Sequence, residues 1–140
     1  MTHHENQILQ SIYNNAKNAM DILSLLSEKS TDRGFCSDLS SQWQEYRKIS
    51  DQVIVLLSDA HTLPQEPPFL ERFLMLASLF TTSAKQTPQL AQLLISGSSQ
   101  GITELKKKLN RSTVSVPIQL LADQLIFLEQ SNMFLMYRYL

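Results

Sequence analysis

Cysteine and histidine are scarce in this chain, and their scarcity limits the chemistry that it can support. Cys36 is the only cysteine, so the chain can form neither an intramolecular disulfide nor a cysteine-rich zinc cluster. The histidines are His3 and His4, at an N-terminus that we expect to be loose, and His61, in a proline-containing stretch. No Glu-x-x-His motif occurs. We therefore predict neither a histidine-dependent catalytic site nor a ferritin-type di-iron centre.

The acidic residues of the predicted helices do not indicate a site either. Those that we place on faces away from the apolar stripes are Asp21, Glu28, Glu45, Asp51, Asp59 and Asp123. Because no catalytic constellation is found, we predict a non-enzymatic protein with no metal or other cofactor.

Long apolar runs and an excess of one charge are also missing. Twelve basic and 13 acidic residues leave a net charge of -1, which does not favour nucleic acid or an anionic membrane surface as a partner. The basic run Lys106–Lys108 is expected to close a helix, where positive charge offsets the helix dipole. The longest apolar runs fall far short of the ~20 residues of a transmembrane helix, and no secretory signal is recognisable at the N-terminus. We expect a cytoplasmic protein that binds neither nucleic acid nor membranes.

Apolar residues recur in steps of three or four, which predicts helices rather than strands. The predicted helices cover about residues 6–28, 35–60, 88–109 and 118–140, and a short helix follows Pro68. Hydrophobic residues make up 43% of the chain, enough to fill the core of one domain over residues 1–140. Short connections between helices favour antiparallel neighbours. The predicted fold is therefore an all-α, antiparallel four-helix bundle with one additional short helix.

The segment Ser96–Gly101 interrupts the apolar stripe of the predicted 88–109 helix with small and polar residues. One interpretation is close packing of two helices, because two glycines four residues apart share a helix face. The alternative is a polar interior site for a small molecule or a metal ion. The residues that would line such a site are Gln89, Gln92, Ser96 and Asn132.

The last predicted helix carries more apolar residues than its core stripe of Ile118, Leu121, Leu125, Leu128 and Leu135 requires. The surplus residues are Phe127, Met133, Phe134, Met136 and Leu140. Either the short helix or the proline-containing stretch covers them, or they form an interface with a second copy or another protein. Our leading functional hypothesis is a bundle that acts through protein contacts or self-association, as a homodimer or larger homo-oligomer.

Four segments of the chain, residues 12–17, 46–51, 94–102 and 136–140, resemble a group of small, uncharacterised helical-bundle proteins of clostridial-type Gram-positive bacteria. The resemblance implies a ferritin-like connection of the helices, an intracellular bacterial protein and no established activity. Relatives in this group carry a His-x-x-Glu pair before the Gly-Ser segment, at positions where this chain has Gln89 and Gln92. Because neutral amides replace both potential ligands, the resemblance implies that a metal site is absent there.

Overall fold

The computed structural model describes residues 1–65, 87–111 and 113–140. These residues form four α-helices: α1 (His3–Lys29), α2 (Arg33–Asp59), α3 (Thr87–Leu109) and α4 (Val116–Met136). A 3-10 turn, Tyr137–Tyr139, follows α4, and no strand occurs in the described residues. The all-α prediction is confirmed, whereas the short helix predicted after Pro68 lies outside the described residues.

Helix α1 begins three residues earlier than predicted, because Thr2 and Glu5 form a capping box. The Thr2 hydroxyl accepts the Glu5 backbone N–H, and the Glu5 carboxyl accepts the Thr2 N–H, both at 3.1 Å. His3 and His4 therefore lie in the first turn of α1 rather than in a loose terminus. The same carboxyl accepts the backbone N–H of Ser115 at 2.8 Å, which ties the start of α1 to the start of α4.

Side-chain and backbone caps also define α2. The Asp32 carboxylate accepts the Phe35 N–H at 3.1 Å, which begins the helix. At its end, His61 has a φ of 57°, in the left-handed region where glycine is usual. The Thr62 N–H donates to the Leu57 carbonyl at 2.8 Å and the His61 N–H to the Ser58 carbonyl at 2.9 Å. This is the Schellman pattern, which terminates α2 before the prolines.

The inward faces of all four helices contribute to one apolar core. Helices α1 and α2 pack against each other, as do α3 and α4. The largest fully buried side chains come from every helix: Ile8, Leu9, Ile12, Leu26, Phe35, Leu39, Val53, Leu57, Leu105, Leu125 and Met136. Each such side chain contributes roughly 1.5–3 kcal/mol through removal from water. No helix in the described part of the chain is long and apolar enough to cross a membrane.

The core face of α4 differs from the predicted one in its second half. The buried residues follow a three-four spacing through Ile118, Ala122, Leu125, Glu129, Asn132 and Met136. Leu128 and Leu135, predicted for the core, are only partly buried at its edge. Met136, predicted for an outer interface, is 1% exposed and belongs to the core. The inward face of α4 therefore carries an acid and an amide.

Candidate functional site

The polar inward residues of α4 lie opposite polar residues of α2. Glu129 is 4% exposed and Asn132 is 7% exposed, because both face the interior of the four helices although they are polar. Gln42 and Tyr46 on α2 are buried to the same degree. These four residues line a cavity of about 400 Å³, here called the interior cavity, to which all four helices contribute and which opens to the surface near Glu104.

Small residues on α3 make room for this cavity. Ser98 and Gly101 occupy the inward positions between buried Ala91 and buried Leu105, where a regular core would place large apolar side chains. Gly101 lies directly against the Glu129 carboxyl. Its carbonyl accepts a long hydrogen bond of 3.5 Å from the Asn15 amide of α1. In the Ser96–Gly101 segment, Gly101 therefore leaves space for the Glu129 carboxyl, and Ser96, Gly97, Ser98 and Gln100 also line the interior cavity.

The wall of the interior cavity combines apolar and polar side chains. The apolar side chains are those of Ile22, Leu23, Leu93, Leu94, Leu105 and Met136. The polar side chains include those of Glu129, Asn132, Gln42, Tyr46, Asn15 and Asn18. Such a combination is typical of binding sites in which a few polar groups orient a largely apolar molecule.

The Glu129 carboxyl is held in its neutral form by its surroundings. Burial removes the carboxylate from water, and this raises the pKa of Glu129 from 4.5 to about 8. At neutral pH the side chain is therefore mostly protonated and can donate one hydrogen bond. A carboxyl whose pKa lies close to physiological pH can also exchange a proton when its environment changes.

The neighbouring phenol is shifted in the same direction. Burial first, and the negative charge of Glu129 second, raise the pKa of Tyr46, while the side chains of Asn132 and Ser98 partly oppose this. Tyr46 is therefore a neutral hydrogen-bonding group at all physiological pH values. Because Tyr46 lies near Glu129, its phenol and the protonated carboxyl can bind the same group of a ligand in the cavity.

Several polar atoms around the cavity have unused hydrogen-bonding capacity. Within the described residues, Gln42 Nε2, Asn132 Nδ2 and Asn18 Oδ1 are buried and have no hydrogen-bond partner. An unpaired buried polar group costs roughly 1–3 kcal/mol. Three such atoms beside one cavity indicate a site whose partners are supplied by a bound molecule or water.

Two charged residues lie at the edge of the interior cavity. Lys108, in the last turn of α3, donates through its ammonium group to the Ser11 hydroxyl of α1. Glu104, one turn earlier, is exposed and accepts a hydrogen bond of 3.3 Å from the Gln100 amide. These residues place one positive and one negative charge where the cavity meets the surface.

The four residues predicted for a ligand site separate into two places. Asn132 lines the interior cavity, and Ser96 lines both this cavity and a shallow surface groove of about 340 Å³. Gln89 and Gln92 line that groove together with Pro88 and Leu140. Neither glutamine contributes to the interior cavity.

The five residues predicted for an interface also separate. Phe127, Phe134 and Leu140 are exposed, at 72%, 77% and 57% of their surfaces. Met133 is half-buried against the core, and Met136 lines the interior cavity. The exposed pair Phe127 and Phe134 lies on the face of α4 opposite Glu129 and Asn132.

Sequence reasoning missed Glu129, Tyr46 and Gln42 as site residues. The available signal was the three-four spacing of Leu125, Glu129, Asn132 and Met136, which places Glu129 on one line with core residues. The prediction followed Leu128 and Leu135 instead, because α4 is apolar on more than one side.

The described residues contain no group of three or more His, Cys, Asp or Glu side chains that could hold a metal ion. The donor set of the interior cavity, one carboxyl with amides and a phenol, is suited to hydrogen bonding of an organic molecule. No family model, curated protein or solved structure matches this chain.

Proposed function

We propose that this protein is a small-molecule-binding four-helix bundle whose ligand occupies the interior cavity beside Glu129. One observation carries the proposal: a cavity of about 400 Å³ brings together buried polar groups from different helices, several of them without partners. A volume of this size accommodates about a dozen water-sized groups. Small organic ligands of that size are bound in such concave, partly apolar sites.

The energetic cost of the polar groups supports a binding role over a purely structural one. Glu129, Asn132 and Gln42 occupy positions where leucine or methionine would fill the cavity and stabilise the core. A bound ligand that satisfies these groups would recover the free energy that their burial costs. The sequence suggested, as an alternative, a ligand site near Ser96–Gly101. The site that we propose is centred on Ser98, Gly101 and Glu129.

The connection of the helices in this proposal is antiparallel and ferritin-like. Helices α1 and α2 are joined by residues 30–32, and α3 and α4 by residues 110–115, whereas residues 60–86 separate the two pairs. Two helix pairs with short links and one long connection between them are the arrangement of ferritin-like bundles. The proposed ligand site lies between the pairs.

A fragment screen by ¹H–¹⁵N NMR tests the proposed function. The library should contain neutral, cationic and anionic compounds of up to about a dozen heavy atoms, to suit the cavity. We expect at least one compound at millimolar concentration to shift the backbone amides of Gln42, Ser98, Gly101 and Asn132. If no compound perturbs these amides, the protein is not a small-molecule-binding bundle.

A cavity-filling variant provides the control for location. Ala19 lines the interior cavity, so Ala19→Leu should place a larger side chain inside it and weaken binding. Ser24→Leu adds a comparable side chain to the exposed surface of the same helix and should leave binding unchanged. Equal binding by both variants would place the ligand outside the cavity.

Self-association is a second candidate function, and one observation favours it. The face of α4 opposite the core carries an outer stripe of Val116, Leu120, Phe127 and Phe134, exposed at 70%, 58%, 72% and 77%. Their spacing of four, seven and seven residues places them on one side of the helix. We propose that a second copy of the chain covers this outer stripe in a dimer.

Sedimentation velocity at micromolar concentration tests the dimer. The wild type should sediment as a dimer, and Phe127→Asp combined with Phe134→Asp should sediment as a monomer. Gln44→Asp with Gln52→Asp, at two exposed positions of α2, adds the same charge elsewhere and should remain dimeric. A wild type that is monomeric under these conditions would eliminate this candidate.

A further inference from the structure

We infer that the ligand of the interior cavity is a primary amine with an apolar body, whose ammonium group pairs with the Glu129 carboxylate. This inference rests on the proposed function and specifies the class of molecule that the site takes. It follows from the charges, the hydrogen-bonding groups and the apolar wall of the cavity, considered in turn.

The charges that face the cavity favour a cation. The titratable residues among its described walls are Tyr46 from α2, Glu104 and Lys108 from α3 and Glu129 from α4, and α1 contributes none. Lys108 is engaged with Ser11 at the edge of the cavity, so the buried part presents a carboxyl and no cation. An anionic ligand could bind beside Glu129 only while the carboxyl stays protonated, whereas a cation gains an ion pair with the ionised carboxylate in a poorly solvated site.

The groups around Glu129 are suited to an ammonium head. An ammonium group donates three hydrogen bonds and accepts none. The Glu129 carboxyl lies near Tyr46, and the Asn18 side-chain oxygen lines the same cavity without a donor. The unpaired N–H groups of Gln42 and Asn132 need acceptors, which the ammonium group cannot supply, but an ionised carboxylate has acceptor sites for several donors. The aromatic ring of Tyr46 adds an electron-rich face that attracts cations.

The rest of the wall is suited to a hydrocarbon body. Leu23, Leu93, Leu94 and Leu105 line the same cavity as the polar groups. A ligand that is polar throughout would leave these side chains against polar atoms. An amine with a short aromatic or aliphatic body matches both the polar and the apolar lining residues.

Binding of such an amine must release a proton. Glu129 is mostly protonated in the empty protein at neutral pH, because burial raises its pKa to about 8. Pairing with the ammonium group requires the carboxylate, so one proton leaves the Glu129 carboxyl for the solvent as the amine binds. Below about pH 8, the affinity should therefore rise about tenfold for each pH unit.

Isothermal titration with three matched compounds tests the inference. The probes are phenethylamine, 2-phenylethanol and phenylacetate, which are cationic, neutral and anionic with similar bodies. We expect phenethylamine to bind most tightly, and about tenfold more tightly at about pH 7 than at about pH 6. Glu129→Gln should lower its affinity and remove the pH dependence. Glu104→Gln, at the edge, should keep that dependence.

The outcomes that contradict the inference are distinct from failure of the proposed function. Equal or tighter binding of 2-phenylethanol or phenylacetate would exclude an amine-specific site while leaving a small-molecule-binding protein. The amine class is also excluded if phenethylamine does not bind at millimolar concentration, or binds equally at both pH values. If no compound of the fragment library binds, the proposed function itself is wrong.

The circular dichroism spectrum of Glu129→Gln should match that of the wild type and show that its folding is retained.

Discussion

The two carboxyl oxygens of Glu129 lie 3.0 and 3.2 Å from the position that a Cβ atom would occupy on Gly101. Ordinary contacts between non-bonded heavy atoms are about 3.5–4.0 Å. A side chain at position 101 and the carboxyl at position 129 therefore compete for the same space. The absence of a side chain on α3 is what allows α4 to carry a buried acid at this level of the core.

This competition predicts coupling between the two positions. Gly101→Ala should stabilise α3 by up to about 1 kcal/mol through helix propensity, but the new methyl group must displace the carboxyl. In a Glu129→Ala background nothing is displaced, so the same change should be more favourable by at least about 0.5 kcal/mol. Urea unfolding of the four proteins measures this difference.

Gly34 serves as the control for the coupling. A Cβ atom there would lie 3.6 Å from the Asp32 carboxylate, an ordinary contact far from Glu129. Gly34→Ala should change stability equally in both backgrounds. Equal effects of Gly101→Ala in both backgrounds would mean that the two residues do not compete.

The buried acid also predicts how stability depends on pH. The folded state raises the pKa of Glu129 from 4.5 to about 8, so its proton is held more tightly in the folded chain. The resulting stability is fully present below about pH 4.5 and is lost as the pH rises through 8. At 1.36 kcal/mol per pH unit, the loss across this window is about 5 kcal/mol at most.

Glu129→Gln should remove this loss, because an uncharged amide has no proton to release. Wild type and variant should have similar free energies of unfolding near pH 4.5, and the variant should be the more stable above pH 8. Urea unfolding across this range measures both. Glu45→Gln, at an exposed position, is the control and should follow the wild-type profile. Parallel profiles for wild type and Glu129→Gln would show that Glu129 titrates as an ordinary exposed acid.

The C-terminal turn predicts a second stability effect. The Tyr139 hydroxyl donates to the Asp38 carboxylate, and its ring packs edge-on against buried Phe35 with centroids 5.0 Å apart. Tyr139→Phe keeps the ring contact and loses the hydrogen bond, so it should lower the free energy of unfolding by about 1–2 kcal/mol. Thermal or urea unfolding measures the loss.

Tyr137 in the same turn is the matched control. It is 50% exposed, and its ring contacts exposed Phe134. Tyr137→Phe should change stability by less than about 0.5 kcal/mol. If both substitutions have the same effect, the Tyr139 hydrogen bond does not anchor the C-terminus.

The left-handed residue at the end of α2 predicts a stabilising substitution. At a φ of 57°, His61 bears the steric cost of its Cβ atom, which glycine lacks. His61→Gly should raise the free energy of unfolding by about 1 kcal/mol. His61→Ala retains the Cβ atom and should show no such gain. A similar gain for alanine would point to the imidazole rather than the backbone as the cause.

The existence and approximate extent of the four described helices could be predicted from the chain itself. Apolar spacing located them, and Thr2 with Glu5 contained the signal for the earlier start of α1, since Ser/Thr-x-x-Glu is a capping motif. The core face of α4 could not be predicted from its spacing alone. Leu128 and Leu135 continue the apolar spacing as well as the line through Glu129, Asn132 and Met136 does, and only the packing of neighbouring helices selects between the two.

Only part of the candidate site could be predicted from the sequence, because only some of its residues have a local signal. The small residues of the Ser96–Gly101 segment and the amide of Asn132 stood out from their apolar surroundings. Tyr46 and Gln42 have no local signal, because a tyrosine or glutamine on a helix is usually explained by a half-buried position. Their role depends on residues more than 80 positions away in the chain, Glu129 and Asn132.

The sequence by itself determined that this chain is helical, where the described helices begin and end to within a few residues, and that cysteine or histidine chemistry has little support. Periodicity and capping are local properties, so they can be read from neighbouring residues. Only the tertiary structure decided that Glu129 faces inward against Gly101 and that residues of four helices line a cavity there. Burial depends on which helix faces meet, and that is settled by packing across the whole chain rather than by any one segment.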